Sequence, residues 1–196
     1  MGYPKIGKAR METFSDGVLA IIITITVLEL KVPHGGDFEA ISKLFPIFLS
    51  YVLSFVYIAI YWNNHHHMIH TCDVVTGSIL WANLHLLFWL SLVPFVTGWM
   101  GENNFSALPT QIYGVVLFMA GLAYWLLQLA IIKHQGEGSI LKKAIGFDWK
   151  GKISPPAYLV AVIVAPYFPW LSISIYIAIA LMWITPDPRI ARIYHA

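Results

Sequence analysis

The residues best placed to do chemistry stand at the mouth of an apolar run. Arg10, Phe14, Ser15 and Asp16 lie in the stretch Arg10-x-x-x-Phe14-Ser15-Asp16-Gly17-Val18, which leads straight into the aliphatic residues 19–30. A charge at the edge of a membrane span is costly, and it marks a functional candidate. Asp16 needs water, a cation or hydrogen-bond donors. Donors are on offer from Asn63, Asn64, His67, His70, Trp81, Asn83 and His85. A second cluster, His65-His66-His67-Met68-Ile69-His70, puts His66 and His70 one helical turn apart, a spacing that suits zinc, with Glu12, Cys72 or Asp73 as further ligands. It lacks the glutamate of a His-Glu-x-x-His site. No metal and no cofactor is expected, and no nucleophile–base constellation suggests an enzyme.

The elements that position these groups follow from composition. The chain has 196 residues, 58% hydrophobic and 11% charged, against about 25% charged in a soluble domain. This is the composition of an all-α integral membrane protein that sits in a lipid bilayer. A net charge of +2 gives no reason to expect nucleic acid, and one cysteine excludes an intrachain disulfide. The first residues do not show a signal peptide or a myristoylation pattern. Spans of roughly 20 apolar residues are read at about 14–32, 44–62, 74–99 and 110–132. A fifth and sixth share 153–184, split by the prolines of Pro166-Tyr-Phe-Pro169. The sequence thus reads as one six-helix domain over 1–196. Ten of the twelve Lys and Arg then fall on one side, leaving Lys31 and Lys43 on the other. The positive-inside rule places both termini in the cytoplasm of a multi-pass protein of the cell (inner) membrane. Pro94 and Ser91 are expected to bend the third span, Asp148 to cap the fifth, and Pro155 and Pro156 to occupy its first turn.

At about 100° per residue, Glu12, Asp16, Ala20, Ile23, Val27 and Leu30 fall within about 40° of one line. In one subunit such a stripe is packing. In a symmetric ring it is a charged mouth leading to hydrophobic collars that gate by dewetting. Glu29 would add an acidic outer mouth. Alternatively, Ser15 and Asp16 are hydrogen-bonded to the second and third spans, an arrangement that also anchors a pore helix. A proton- or cation-coupled secondary transporter, with Asp16 and His85 as relay, is the alternative function. It predicts inverted repeats, and none is visible.

The motif Arg10-x-x-x-Phe14-Ser15-Asp16-Gly17-Val18 resembles the signature of the endolysosomal potassium channel family (transmembrane protein 175 family) and its bacterial homologues. The resemblance continues through residues 20–30 and through Asn83-Leu-His-Leu-Leu-Phe-Trp-Leu-Ser91-Leu-Val-Pro94-Phe95. It implies a six-span subunit, a homotetramer, and a pore lined by the first helix. It implies potassium-selective or weakly selective conduction of monovalent cations without a carbonyl filter, potassium being a permeant ion rather than a cofactor. On that pattern the constriction maps to Ile23, Val27 and Leu30, with Thr26 as a selectivity layer. Arg10, Phe14, Ser15, Asp16, His67, Trp81 and Asn83 form the network that anchors the pore helix. The sequence agrees on a negative: it has no Thr-Val-Gly-Tyr-Gly filter and no Arg-rich voltage-sensing helix.

Overall fold

Proline and small polar residues decide where the helices of this chain start, bend and stop. The computed structural model describes residues 7–184, and every regular element among them is helical. Helix α1 spans Lys8–Thr26 and tightens into a 3-10 turn at Val27–Glu29. A short α2, Phe38–Ser42, is capped by Asp37, whose carboxylate accepts from the Ala40 amide at 2.8 Å. Helix α3, Phe45–His70, carries Pro46 in its first turn, where a missing amide costs nothing. The third span is bent as expected. It consists of α4, Gly77–Ser91, and α5, Val93–Glu102. Pro94 cannot donate to the preceding turn, and the Ser91 hydroxyl takes the Phe88 carbonyl at 2.7 Å.

Helix α6 runs unbroken over Ala107–Gln135 and stops at Gly136, whose φ of 65° suits glycine. A short α7, Ile140–Ile145, leads to α8, Trp149–Val164, and α9, Pro169–Ile184. Asp148 caps α8 by accepting from the Gly151 amide at 2.9 Å. The cap starts the helix four residues earlier than the sequence suggested. Pro155 and Pro156 therefore lie inside α8 rather than in its first turn. The break expected at Pro166–Pro169 is present at residues 165–168.

Four helical stretches are long and apolar enough to cross a membrane: Lys8–Glu29, Phe45–His70, Gly77–Glu102 and Ala107–Gly138. Helices α8 and α9, of 16 residues each, reach only about 24 Å, short of the roughly 30 Å hydrocarbon core. Helix α6 is the centre, packed by α4, α5, α8 and α9, while α3 joins α1, α5 and α9. Small residues let these helices approach. At Gly114 the Tyr176 hydroxyl stands where a Cβ would be, and it donates to the Thr110 carbonyl at 3.2 Å.

Candidate functional site

The two faces of α1 have opposite surroundings. Met11, Ser15, Leu19, Ile22 and Thr26 recur at helical spacing and are buried against α3, α4 and α5. The other face carries Arg10, Phe14, Gly17, Ala20, Ile21, Thr24, Ile25 and Leu28, all exposed. Leucine and isoleucine on one line of this face are bare: Ile21 is 59%, Ile25 43% and Leu28 72% exposed.

The sequence-derived stripe runs along the border between the two faces, with Ala20 and Val27 exposed and Glu12, Asp16 and Ile23 half-buried. Ile23 is half-buried and packs against the core of its own subunit, whereas Val27 is exposed on the flank of the open face. Leu30 lies beyond the last α-helical turn, so a 100° wheel no longer describes its direction. The Thr26 hydroxyl is 0% exposed and donates to the Ile22 carbonyl at 2.7 Å. It faces the interior of its own subunit. Thr24 occupies the open face instead, bonding the Ala20 carbonyl at 2.7 Å while its hydroxyl oxygen stays accessible.

The buried face is held by a directional hydrogen-bond chain. Asn83 on α4 donates through Nδ2 to Ser15 Oγ at 2.9 Å, and Ser15 donates to the Met11 carbonyl at 2.8 Å. Asn83 Oδ1 is left as an acceptor, so His65 Nε2 at 2.7 Å must donate to it. One amide thus ties α1, α3 and α4 together. Beside it, Trp62 Nε1 donates to Asp16 Oδ1 at 3.0 Å.

Ser15, Asp16 and Asn83 are therefore brought together as the sequence suggested, and other expected members are not. Trp81 is 73% exposed, and the indole that reaches Asp16 is Trp62. The imidazole that closes the chain is His65; His67 lies outside it, edge-on to the His66 ring. The overlooked signal was spacing. Tyr57, Tyr61, His65 and Met68 repeat at helical intervals on the buried face of α3. Arg10 and Phe14 stand on the open face rather than in this hydrogen-bond chain. Glu29 turns sideways across Gly98 of α5, where any side chain would collide with it. Next to it, Lys31 pairs with Glu102, whose hydrogen bond and charge raise the Lys31 pKa. Among the described residues no group of three His, Cys, Asp or Glu is placed to hold a metal ion.

Relatives put this arrangement in context. A profile of the family described as endosomal/lysosomal potassium channel TMEM175 matches residues 10–94, from the motif to the α4–α5 bend. A potassium channel of a Chryseobacterium species is 50% identical over 185 residues, covering 94% of this chain and 96% of that protein. The endosomal/lysosomal proton channel TMEM175 of Gallus gallus is 28% identical over 148 residues, which cover 67% of this chain and 30% of that protein. Among solved structures, that of a lysosomal potassium-selective channel TMEM175 homolog from Chamaesiphon minutus matches with a TM-score of 0.79 and 27% identity, covering 90% of this chain and 96% of that one. With half of the aligned residues shared along 94% of its length with one such channel, and with the motif helix inside the family profile, the chain belongs to the TMEM175 family and is a multi-pass membrane cation channel, not an enzyme.

Proposed function

We propose that four copies of this chain assemble around α1 and that potassium, weakly preferred over other monovalent cations, passes along the open face of that helix. The carrying observation is the one-sided α1. Its buried face is bonded to α3 and α4, while Ile21, Ile25 and Leu28 are left bare. A 22 kDa subunit encloses a central path only by closing a ring, and cyclic symmetry is the economical way to do so. Bulky aliphatic collars exclude water until the pore widens, and the adjacent Thr24 hydroxyl helps a cation shed its hydration. Such a pore needs no carbonyl filter. The names of the bacterial relatives support potassium as the permeant ion. In this reading the α8–α9 hairpin supplies the fifth and sixth spans, its short helices matched by local thinning of the bilayer, and both termini then lie in the cytoplasm of an inner membrane. The termini, with Lys5, Arg189 and Arg192, lie outside the described residues.

Purified protein in potassium-loaded liposomes is expected to dissipate a potassium gradient, and crosslinking is expected to stop at four subunits. Ile21→Ala should raise leak or lower potassium-over-sodium selectivity several-fold. Ile23→Ala, which removes a core contact, should chiefly lower thermal stability. Absence of flux from a folded oligomer would overturn the channel reading. Selectivity altered by Ile23→Ala but not by Ile21→Ala would return the constriction to the stripe of Ile23, Val27 and Leu30. A pH-sensitive dye inside the same liposomes shows whether protons, named for the animal relative, share the path.

A further inference from the structure

The connection between α6 and α8 gathers charge that the ion path does not use. Residues 133–152 hold five lysines, Lys133, Lys142, Lys143, Lys150 and Lys152, against two acids, Glu137 and Asp148, a net of +3 where the whole chain carries +2. Asp148 is already engaged as the cap of α8. Helix α7 packs on α6 through its buried Leu141 and Ala144, which leaves Lys142 and Lys143 exposed on the other side. Among the described residues no carboxylate stands within ion-pair distance of Lys142, Lys143 or Lys152.

Aromatic rings stand among these lysines. Phe147 is 71% and Trp149 44% exposed, and the Lys152 ammonium lies 3.8 Å from the centre of the Phe147 ring. In bulk water a ring so exposed forfeits the gain of burial. At the surface of a bilayer the same arrangement is favourable, because the ring sits at headgroup level and the lysine stem runs along apolar surface to its charge. Depth follows from the length of α8. Its face of Leu159, Val160 and Ile163 is exposed and calls for apolar surroundings, yet 16 residues reach only about 24 Å of a roughly 30 Å core. A bilayer thinned to match brings both ends of α8 to headgroup level. The far turn, 165–168, carries Tyr167 and Phe168 and no charge, so the lysines stand at the Trp149 end alone.

We propose that Lys142, Lys143, Phe147 and Lys152 form a docking surface for the headgroup of an anionic phospholipid in the leaflet that meets the start of α8. The inference rests on the reading of α8 and α9 as membrane spans. A phosphodiester offers a negative charge and oxygens that accept from ammonium groups, and these lysines have no carboxylate of the described chain to satisfy them. A zwitterionic headgroup carries its own cation to the same lysines and loses most of the attraction. The choice of lipid is therefore made by charge, and the aromatic rings set the depth at which it is made.

The test reconstitutes the full chain in phosphatidylcholine vesicles with a trace of spin-labelled phosphatidylglycerol or phosphatidylcholine, and separates protein-bound from bulk lipid by electron spin resonance. Phosphatidylglycerol is expected to associate about threefold or more tightly than phosphatidylcholine. Lys142→Gln, Lys143→Gln and Lys152→Gln together should remove most of that preference, whereas Lys31→Gln with Lys43→Gln should leave it unchanged. Equal association of the two lipids, or a preference that survives the triple substitution, would overturn the proposal. A nitroxide on Val160→Cys, in a Cys72→Ser background, separates the two ways to fail. Broadening by oxygen places α8 in lipid, and an absent headgroup preference then overturns this inference alone. Broadening by a water-soluble nickel chelate would overturn the hairpin reading and this inference with it.

Discussion

Helix α3 is held from two sides by polar chains of different construction. Toward α1 and α4 the chain has one hub. Asn83 receives from His65 and gives to Ser15, so one amide joins three helices, while Trp62–Asp16 and Lys8–His70 add single bonds between α3 and α1 alone. Toward the other helices the bonds are several. Tyr57 donates to the Tyr176 carbonyl at 2.6 Å. Thr97 donates to the Val93 carbonyl, so Ser54, 2.6 Å from Thr97 and 3.0 Å from the Tyr113 hydroxyl, must pass its own proton to Thr97 and accept from Tyr113. Tyrosine rings then pack in a row, Tyr113 and Tyr158 each against Tyr176. In lipid, apolar surface does not sort helix faces, so polar bonds and close packing do. The distributed side fixes a body. The single-hub side fixes one face of α1 and leaves the other bare.

The sharpest way to break this contrast is to remove the hub. Asn83→Leu strands His65 Nε2 without its acceptor and should cost about 1–3 kcal/mol. Thermal unfolding in detergent is expected to show the loss, together with lowered flux as α1 loosens. Tyr57→Phe deletes one bond of several while keeping the ring, and should cost about 0.5–1.5 kcal/mol with flux unchanged. If the two variants lose equal stability, the division into hub and distributed network is wrong.

The sequence showed one kind of information well and another poorly. Hydropathy and proline found the long helices, the α4–α5 bend and the 165–168 break, because each is a local property of the chain. The Ser15–Asn83 pairing was legible because a polar residue inside an apolar helix has few places to go. The direction of α1 was not legible. A wheel ranks residues by angle, and two lines, one through Ile23 and one through Ile21, are equally aliphatic; only contacts with α3, α4 and α5 choose between them. The same limit exchanged Trp81 of α4 for Trp62 of α3 and His67 for His65, which lies about 200° away around the same helix, since only tertiary packing shows which side chain points inward. The burial of Thr26 was not legible either, because a threonine hydroxyl can satisfy itself on its own helix.

A smaller effect separates the anchoring network from the ion path within the motif. Asp16→Asn keeps an oxygen for the Trp62 indole, so stability should stay within about 0.5 kcal/mol of the unmodified protein. Loss of the carboxylate charge is nevertheless expected to lower cation flux at low ionic strength, because a charged mouth concentrates counter-ions. The difference should fade in high salt, where the charge is screened. Flux that does not change at low salt would make Asp16 a purely structural member, and Trp62→Phe would then be the more damaging of the two.

The smallest effect reads the foot of α1. Lys8 Nζ donates to the His70 carbonyl at 2.6 Å, at the end of α3 beside Cys72. The Cys72 thiol is buried and donates to the Val74 carbonyl at 3.2 Å. Burial pushes its pKa up, while the Lys8 charge pulls it back. Only the thiolate reacts with a maleimide, so labelling at neutral pH should be slower than for a free cysteine and should rise through alkaline pH. Lys8→Met removes a positive charge that favours the thiolate. With the foot still closed, the midpoint of the pH–rate profile moves further up and neutral labelling slows. If the lysine instead serves mainly to hold the foot shut, the thiol becomes hydrated, the midpoint falls toward that of an exposed cysteine, and labelling accelerates at every pH. The first outcome is expected, because Met11, Ser15 and Leu19 remain buried against their neighbours without the lysine's help, and α1 is held along its length by that face.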